Sequence, residues 1–395
     1  MKLLYFCTNY PNYSETFVSE EISQLQAAGH QVTVCNFTWY TQAQDGRSET
    51  IINNSPNVIH LTAAILKAAA KRQSLLGQWE TWKMILLCMW QRPSFVGKYL
   101  YLLYSLDYMC QKAANEEADL IVSHFLFKTT LASYLIGRFL NTKVHIRLHT
   151  KRSLYPDMVL QKVLNAAHTI TAESRDVAEY YEPWLAHDTP VKVIRQSVDF
   201  TKLQSIHMPN ADTAHFNLIA IGRLVKKKGF QVLIKAMGKL RMTRSNNVTC
   251  TIYGDGPMRE KLAQLIQDYD VSDCVHLAGR MKHGEVMKKL DKAHLLIVPS
   301  IELKEDIDGI PTVIAESMLL HTPVLTTPVG GINELITHGS TGFMVAPDNA
   351  EQLAIAIIRL HDAAIRNSVV AQAYTKAVQE YQINLASAFE VEEWH

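Results

Sequence analysis

Residues 216–237 read Phe-Asn-Leu-Ile-Ala-Ile-Gly-Arg-Leu-Val-Lys-Lys-Lys-Gly-Phe-Gln-Val-Leu-Ile-Lys-Ala-Met. The mostly apolar run Phe216 to Ile221 has the pattern of a strand buried on both faces, which is the habit of a parallel sheet. Gly222 and Gly229 bracket a turn rich in fixed positive charge, and Phe230, Leu233, Ile234 and Met237 then recur at helical spacing. The stretch is therefore strand, loop, helix, with the loop at the carboxyl end of the strand. The same pattern recurs downstream. Further strands are expected at Val248 to Tyr253, Cys274 to Leu277, Leu295 to Val298, Pro323 to Thr326 and Gly342 to Val345, with helix-length amphipathic segments between most of them. Parallel neighbours need such crossovers, so residues 214–375 predict a doubly wound α/β domain.

Upstream, Asp199 to Thr213 is polar and reads as a linker. Before it, residues 1–200 repeat the scheme. Leu3 to Cys7 is a strand and Thr8 to Tyr13 a polar turn, with a helical period through Phe17, Val18, Ile22 and Leu25 until Gly29. Gln31 to Cys35 is a second strand. Strands at Leu120 to Val122, Val144 to Arg147, Thr169 to Thr171 and Val191 to Ile194 follow, so this half is also expected to be doubly wound. A chain of 395 residues is too long for one core and suits two.

Composition narrows the function. With 39 basic against 38 acidic side chains, no overall charge favours wrapping a nucleic acid, so any charge-driven chemistry is local. The six cysteines are scattered without a CxxC pair, and with no signal peptide they read as reduced cytosolic thiols rather than zinc ligands or disulfides. No apolar run approaches the roughly 20 residues of a membrane span. Neither G-x-G-x-x-G nor G-x-x-x-x-G-K-[ST] follows an opening strand, which sets aside dehydrogenase and P-loop readings.

In open α/β sheets ligands bind beyond the carboxyl ends of the strands, so the loops after Ile221, Tyr253, Leu277 and Val298 converge. Gly222, Arg223 and Lys228 in the first loop form an anion site in front of a helix, or else a solvated lysine-rich turn. In Asp308-Gly309-Ile310-Pro311-Thr312-Val313-Ile314-Ala315-Glu316 two carboxylates stand eight residues apart, the first in a loop and the second inside a helix that Pro311 opens. The pair reads as a clamp for sugar or ribose hydroxyls, or as an N-cap and an ordinary helix residue. Gly330-Gly331 lets backbone approach a ligand closely.

In this order and spacing, Gly222-Arg223 with Lys228-Gly229, Gly254-Asp255-Gly256-Pro257, the Asp308 to Glu316 pair, Pro323-Val324 and Gly330 to Glu334 resemble the C-terminal domain of the family 4 retaining glycosyltransferases. Ser14 to Val18 and the strand at His30 to Val34 are similar to the branch that builds bacterial exopolysaccharides of the colanic acid and amylovoran type. The resemblance implies a GT-B fold, two Rossmann-like domains facing across a cleft, with a C-terminal helix at about 376–395 packing back on the first domain. It implies that Arg223 and Lys228 hold the donor diphosphate and stabilise its developing charge in place of a divalent metal. Glu316 would hold the ribose and Asp308 the donor sugar, with the backbone of Gly309, Ile310, Pro311 and Thr312 lining the site; Arg280, after the strand at Cys274 to Leu277, joins the donor set. Asp308 stands where the family usually has Glu, one methylene longer, and Glu305 and Asp306 are nearby alternatives for its role. His149, at the end of the strand Val144 to Arg147, matches the histidine that approaches the donor sugar; His124 is a second candidate. The segment Asn9 to Tyr13 lacks the family's Gly-Gly pair and is expected to shape the acceptor site. Arg195 reads either as a cleft residue or as a surface ion-pair partner.

The expected activity is retaining, metal-independent transfer from a nucleotide-diphosphate sugar to a hydroxyl of a lipid-linked or growing polysaccharide, with no further cofactor. On the resemblance the donor is a UDP-sugar such as UDP-galactose or UDP-glucose. A catalytically silent sugar-nucleotide-binding subunit and a GT-B epimerase are the alternatives. Residues 65–106 interleave aromatic and basic side chains, including Trp79, Trp82, Trp90 and Tyr99 with Lys67, Arg72, Lys83 and Lys98. That pattern suits either a buried helix face or contact with the cytoplasmic face of an inner membrane.

Overall fold

The computed structural model describes residues 1–7, 10, 16–36, 50–53, 78–91, 93–153, 155–186, 189–198, 203, 215–242, 247–303 and 309–381. The chain divides into two compact units, the first beginning at Met1 and running to Ile194 and the second beginning at Arg195. The boundary thus falls just before the expected polar linker.

The first unit holds a seven-stranded parallel sheet of β1 (Lys2–Cys7), β2 (Gln31–Asn36), β3 (Thr50–Asn53), β4 (Leu120–His124), β5 (Lys143–Leu148), β6 (Thr169–Ala172) and β7 (Val191–Val193). Their order is β3-β2-β1-β4-β5-β6-β7. The order reverses between β1 and β4, which are paired in register from Leu3 opposite Leu120 to Phe6 opposite Ser123. Its helices are α1 (Thr16–Ala27), α2 (Trp79–Gln91), α3 (Val96–Glu116), α4 (Lys128–Leu140), α5 (Asp157–Asn165) and α6 (Arg175–Tyr181). One face of the sheet packs Leu4, Phe6, Ile121 and Ile146 against Cys88, Leu102, Leu106 and Leu135 of the helices. The other face buries Leu3, Tyr5 and Val34 against Phe17, Ile22 and Leu25 of α1. Strands covered on both faces need apolar side chains on both, which is why these runs barely alternate.

The second unit repeats the plan with six parallel strands in the order β10-β9-β8-β11-β12-β13. They are β8 (Phe216–Ile221), β9 (Val248–Tyr253), β10 (Val275–Gly279), β11 (Leu295–Val298), β12 (Val324–Thr326) and β13 (Phe343–Met344). Helices α7 (Phe230–Met242), α8 (Arg259–Asp268), α9 (His283–Asp291), α10 (Thr312–Leu319), α11 (Ile332–Leu335), α12 (Ala350–Arg359), α13 (Ala363–Asn367) and α14 (Val370–Tyr381) complete it. β8 and β11 are the neighbours at which this order reverses, so the loops after them flank the position where such sheets take ligands. The described part of the expected C-terminal helix, α14, buries Ala373, Ala377 and Tyr381 with Ile314 and Met318 of α10, inside the second unit. Residues 382–395 lie outside the described residues.

The aromatic segment of the first unit divides between two environments. Tyr99, Leu102 and Leu106 are core residues, whereas Trp79, Lys83, Leu86 and Trp90 are exposed along one stripe of α2. No helix among the described residues is long and apolar enough to cross a membrane.

Candidate active site

The cationic loop of the second unit is built by glycine and held by its neighbours. Gly229 has φ +69°, and a Cβ there would come within 1.7 Å of the Pro299 carbonyl oxygen. Only glycine lets the loop after β8 press against the loop after β11, and the Ile301 N–H to Lys227 carbonyl hydrogen bond of 2.9 Å ties the two together. Gly254 is equally constrained, since a Cβ would meet the Gly222 carbonyl oxygen at 1.9 Å. Around these contacts, Gly222 N–H donates to Tyr253 O at 3.0 Å, Leu224 N–H to Asp255 O at 3.0 Å, and Gly254 N–H to Gly279 O at 2.9 Å. Loops that follow three successive strands are therefore laced backbone to backbone. Leu224 is wholly buried and anchors the turn, leaving Arg223 exposed on one side of it and Lys228 half-buried on the other. The Lys228 stem runs back over Gly222, its Cε 3.7 Å from where a Cβ on that glycine would be. Gly222 and Lys228 thus pack against each other in the loop that also carries Arg223.

Arg280 reaches across to the Asp255 carboxylate at 3.9 Å, and both side chains are exposed. Gly309 and Ile310 are buried, and Pro311 is the N-cap of α10 without a side-chain hydrogen bond. In the first turn of α10 Ile314 N–H donates to the Pro311 carbonyl at 3.0 Å, and the N–H groups before it are those a helix start leaves without an intrahelical acceptor. Glu316, five residues into the helix, is only 6% exposed, and its Oε1 accepts a 2.8 Å hydrogen bond from Nε2 of His283 at the start of α9. Asp308, Glu305 and Asp306 lie outside the described residues, as do Asn9 and Pro11 to Tyr13. Arg195 is largely buried. Its Nε and Nη2 donate to Glu380 at 3.0 and 2.8 Å and its Nη1 to Glu334 at 2.9 Å, so Arg195 is an ion-pair partner. Burial opposes its charge, but Tyr381, Glu380 and Glu334 outweigh burial and hold the guanidinium above its ordinary value.

The first unit gathers its polar groups at the carboxyl ends of β1, β4, β5 and β6. His149 stands one residue past β5, 2% exposed, with both ring nitrogens turned inward. Its Nδ1 faces the Glu173 carboxylate at 3.3 Å and its Nε2 lies 2.9 Å from Nδ1 of His124. The two imidazole planes are nearly parallel, at 8°, with centroids 5.1 Å apart. On its other side, Nε2 of His124 lies 3.6 Å from Glu21, a fully buried carboxylate on α1 that also accepts from Tyr5 Oη at 2.7 Å and from Arg147. Glu21, His124, His149 and Glu173 form one chain of contacts. Phe17 and Phe125 pack on the His149 ring with centroids 4.8 and 4.7 Å away. Phe125 does so from φ +63°, a left-handed conformation that costs a non-glycine residue roughly 1–2 kcal/mol.

Electrostatics follow from this crowding. Burial by itself would raise the Glu21 carboxyl, but Arg147, His124 and Tyr5 hold it well below the usual carboxylate range. Burial pushes His149 well down, helped by His124 and Arg147. His145, hydrogen-bonded to Thr171 at 2.9 Å, is pushed down to about 3 by burial first and Arg147 second. Glu21, Arg147, Glu173 and His283 escaped the sequence reading. A signal for Arg147 was present, because His145, Arg147 and His149 alternate on one face of a strand otherwise apolar. Glu21 sits in an ordinary amphipathic helix, and no local pattern distinguishes it from Glu20.

Residues 208–376 match the family described as glycosyl transferases group 1. The chain is 25% identical to a putative colanic acid biosynthesis glycosyltransferase, WcaL, of Salmonella typhimurium, covering 96% of both proteins. It is 23% identical to the amylovoran biosynthesis glycosyltransferase AmsK of Erwinia amylovora, over 98% of this chain and 97% of that one. Among solved structures, Anabaena HepE in complex with UDP-glucose aligns over 100% of both chains with a TM-score of 0.73 at 19% identity. Sucrose-phosphate synthase of Thermosynechococcus elongatus aligns over 99% of this chain and 98% of its own with a TM-score of 0.76 at 17% identity. These likenesses show the GT-B fold of two Rossmann-like units.

Proposed function

We propose that this chain, whose residues 208–376 match the group 1 glycosyl transferases, transfers a sugar from a nucleotide-diphosphate donor, a UDP-sugar, to a hydroxyl of a growing or lipid-linked exopolysaccharide unit. The observation that carries the reading is the cationic loop after β8, where Arg223 is exposed and Lys228 folds back over Gly222. The colanic acid and amylovoran names of the long-range relatives support the exopolysaccharide assignment, and the UDP-glucose bound to Anabaena HepE supports the choice of donor.

In this reading Arg223 and Lys228 grip the diphosphate, and the open N–H groups at the start of α10 add to the field around it. As the bond between the anomeric carbon and the diphosphate oxygen breaks, negative charge accumulates on the leaving group. Two fixed cations then stabilise the transition state more than the ground state without a divalent metal. Glu316 accepts from the ribose and Asp308 from the donor sugar. The acceptor oxygen bonds to the anomeric carbon on the face the diphosphate leaves, with retention, and its proton passes to a diphosphate oxygen. The exposed stripe of Trp79, Lys83, Leu86 and Trp90 suits a shallow seat on an anionic lipid surface, which would deliver a lipid-linked acceptor.

The test is release of UDP by purified protein from UDP-glucose or UDP-galactose, with Lys228→Ala as the control. Turnover that the variant loses supports the reading. Tight donor binding with no turnover under any acceptor would instead favour a silent binding subunit, and no binding of any nucleoside diphosphate would overturn the donor assignment.

A further inference from the structure

Glu316 does not stand alone at the nucleotide end of the second unit. Its Oε1 is taken by Nε2 of His283, while its Oε2 has no partner among the described residues. The Glu316 side chain is 8% exposed and the His283 side chain 44% exposed, so the pair has one end in the protein and the other at the surface. His283 reaches Glu316 because α9 starts shortly after β10, and the loop before it is laced to the rest of the site by the bond from Gly254 N–H to Gly279 O at 2.9 Å. An ionised carboxylate only accepts hydrogen bonds, so Nε2 of His283 carries the proton that is shared.

We propose that His283 is a positioning residue for the donor's nucleoside. By occupying one oxygen of Glu316 it fixes the plane of the carboxylate and reserves the other oxygen for a single ribose hydroxyl. This rests on the reading of Glu316 as the ribose partner given above. A carboxylate free to rotate would accept a vicinal diol with either oxygen or both and would tolerate the loss of one hydroxyl. Pinned by His283, it offers one acceptor in one direction, and a missing hydroxyl leaves that acceptor unmet in a largely buried setting. The pair therefore makes the site selective for ribose over deoxyribose.

The test compares UDP with 2′-deoxyuridine diphosphate by isothermal titration of the full chain, in wild type, His283→Ala and His283→Gln. The wild type is expected to prefer UDP by about 10-fold, the scale of one hydrogen bond to a charged group. His283→Ala is expected to weaken UDP until the two ligands bind alike. His283→Gln, whose amide nitrogen can stand near the place of Nε2, is expected to recover most of the preference. Circular dichroism melting of each unliganded variant reports folding separately. An unchanged UDP preference in a folded His283→Ala overturns the inference, as does tighter UDP binding there, which would make His283 a competitor for Glu316 rather than its support. If the wild type binds neither UDP nor GDP nor ADP, the donor reading fails and this inference with it. Binding with a preference indifferent to residue 283 sinks the inference alone.

Discussion

The two units use the same sheet architecture to opposite electrostatic ends. At the carboxyl ends of the first sheet, Glu21, Arg147, His124, His149 and Glu173 face one another, all buried, so these polar groups find partners inside the protein. At the carboxyl end of β8 in the second unit, the loop is fixed by backbone hydrogen bonds and glycine contacts, and Arg223 is left exposed. In the first case the side chains hold the fold. In the second the backbone holds the side chains. A cation whose fold does not depend on its charge is available for a ligand's charge, and the substitutions that separate these two situations should differ in what they damage.

The largest effect is expected on catalysis. Lys228→Ala and Arg223→Ala should each lower turnover by roughly 100- to 1,000-fold, the scale on which one electrostatic donor to a transition state is lost. The melting transition of Arg223→Ala should stay in place, because that side chain is exposed and the loop's backbone contacts do not involve its charge. Donor turnover and calorimetric melting of the same preparations check both halves. Equal loss of stability and activity would erase the contrast between the units.

Arg147→Met is the converse. It leaves Glu21 fully buried with its principal counter-charge removed, and breaking a buried pair in this way costs about 3–5 kcal/mol. Urea unfolding followed in the first unit should shift by that amount. Glu21→Gln combined with Arg147→Met should recover much of it, since the stranded charge is then gone.

Acid should expose the same difference without mutation. His145 is held neutral, down to about 3, against an ordinary histidine value of 6.5, and His149 is also pushed down. Below pH 6.5 the unfolded chain takes up protons that the folded histidines refuse, so this stability is present above 6.5 and lost as pH falls towards 3. The slope is about 1.4 kcal/mol per pH unit for each such group. Glu21, held below its ordinary 4.5, adds a loss of the same sign at lower pH. Melting of the first unit between pH 7 and 4 is the measurement, and a flat profile would mean that these groups are solvated in the native state.

Much of the second unit was legible in the sequence because its site is local. Gly222 to Gly229 lies within one loop, and the glycines that shape it are the same ones that mark it. The doubly wound plan of both units followed from alternating strands and helices, although β3 at Thr50–Asn53 has too short an apolar run to be anticipated. In contrast, the contacts of the first unit join residues 126 apart, as in Arg147 with Glu21, and no periodicity encodes that distance. His283 and Glu316 are separated by 33 residues and meet only because two helices start on the same side of their sheet. Arg195 was visible as an oddity but its choice of Glu334 and Glu380 depended on tertiary placement.

The smallest stability effect is expected on α2, whose exposed aromatic residues contrast with a buried one on the neighbouring α3. Trp90 is 82% exposed and Trp79 is 74% exposed, whereas Tyr99 is 3% exposed in the core. Removing an aromatic side chain from the core costs about 3–5 kcal/mol, so Tyr99→Ala should melt far earlier. Trp79→Ala with Trp90→Ala removes side chains that pack on little, and each should change stability by no more than about 0.5 kcal/mol. Their burial has to come from outside the chain if they serve a function. On an anionic lipid surface the tryptophans would lose most of their contact with water while Lys83 pairs with headgroups. Cosedimentation with phosphatidylglycerol vesicles should therefore fall several-fold in the double variant and fall again in high salt, with no change in melting. If sedimentation is indifferent to both tryptophans and to salt, the stripe is ordinary exposed surface and the acceptor reaches the enzyme by another route.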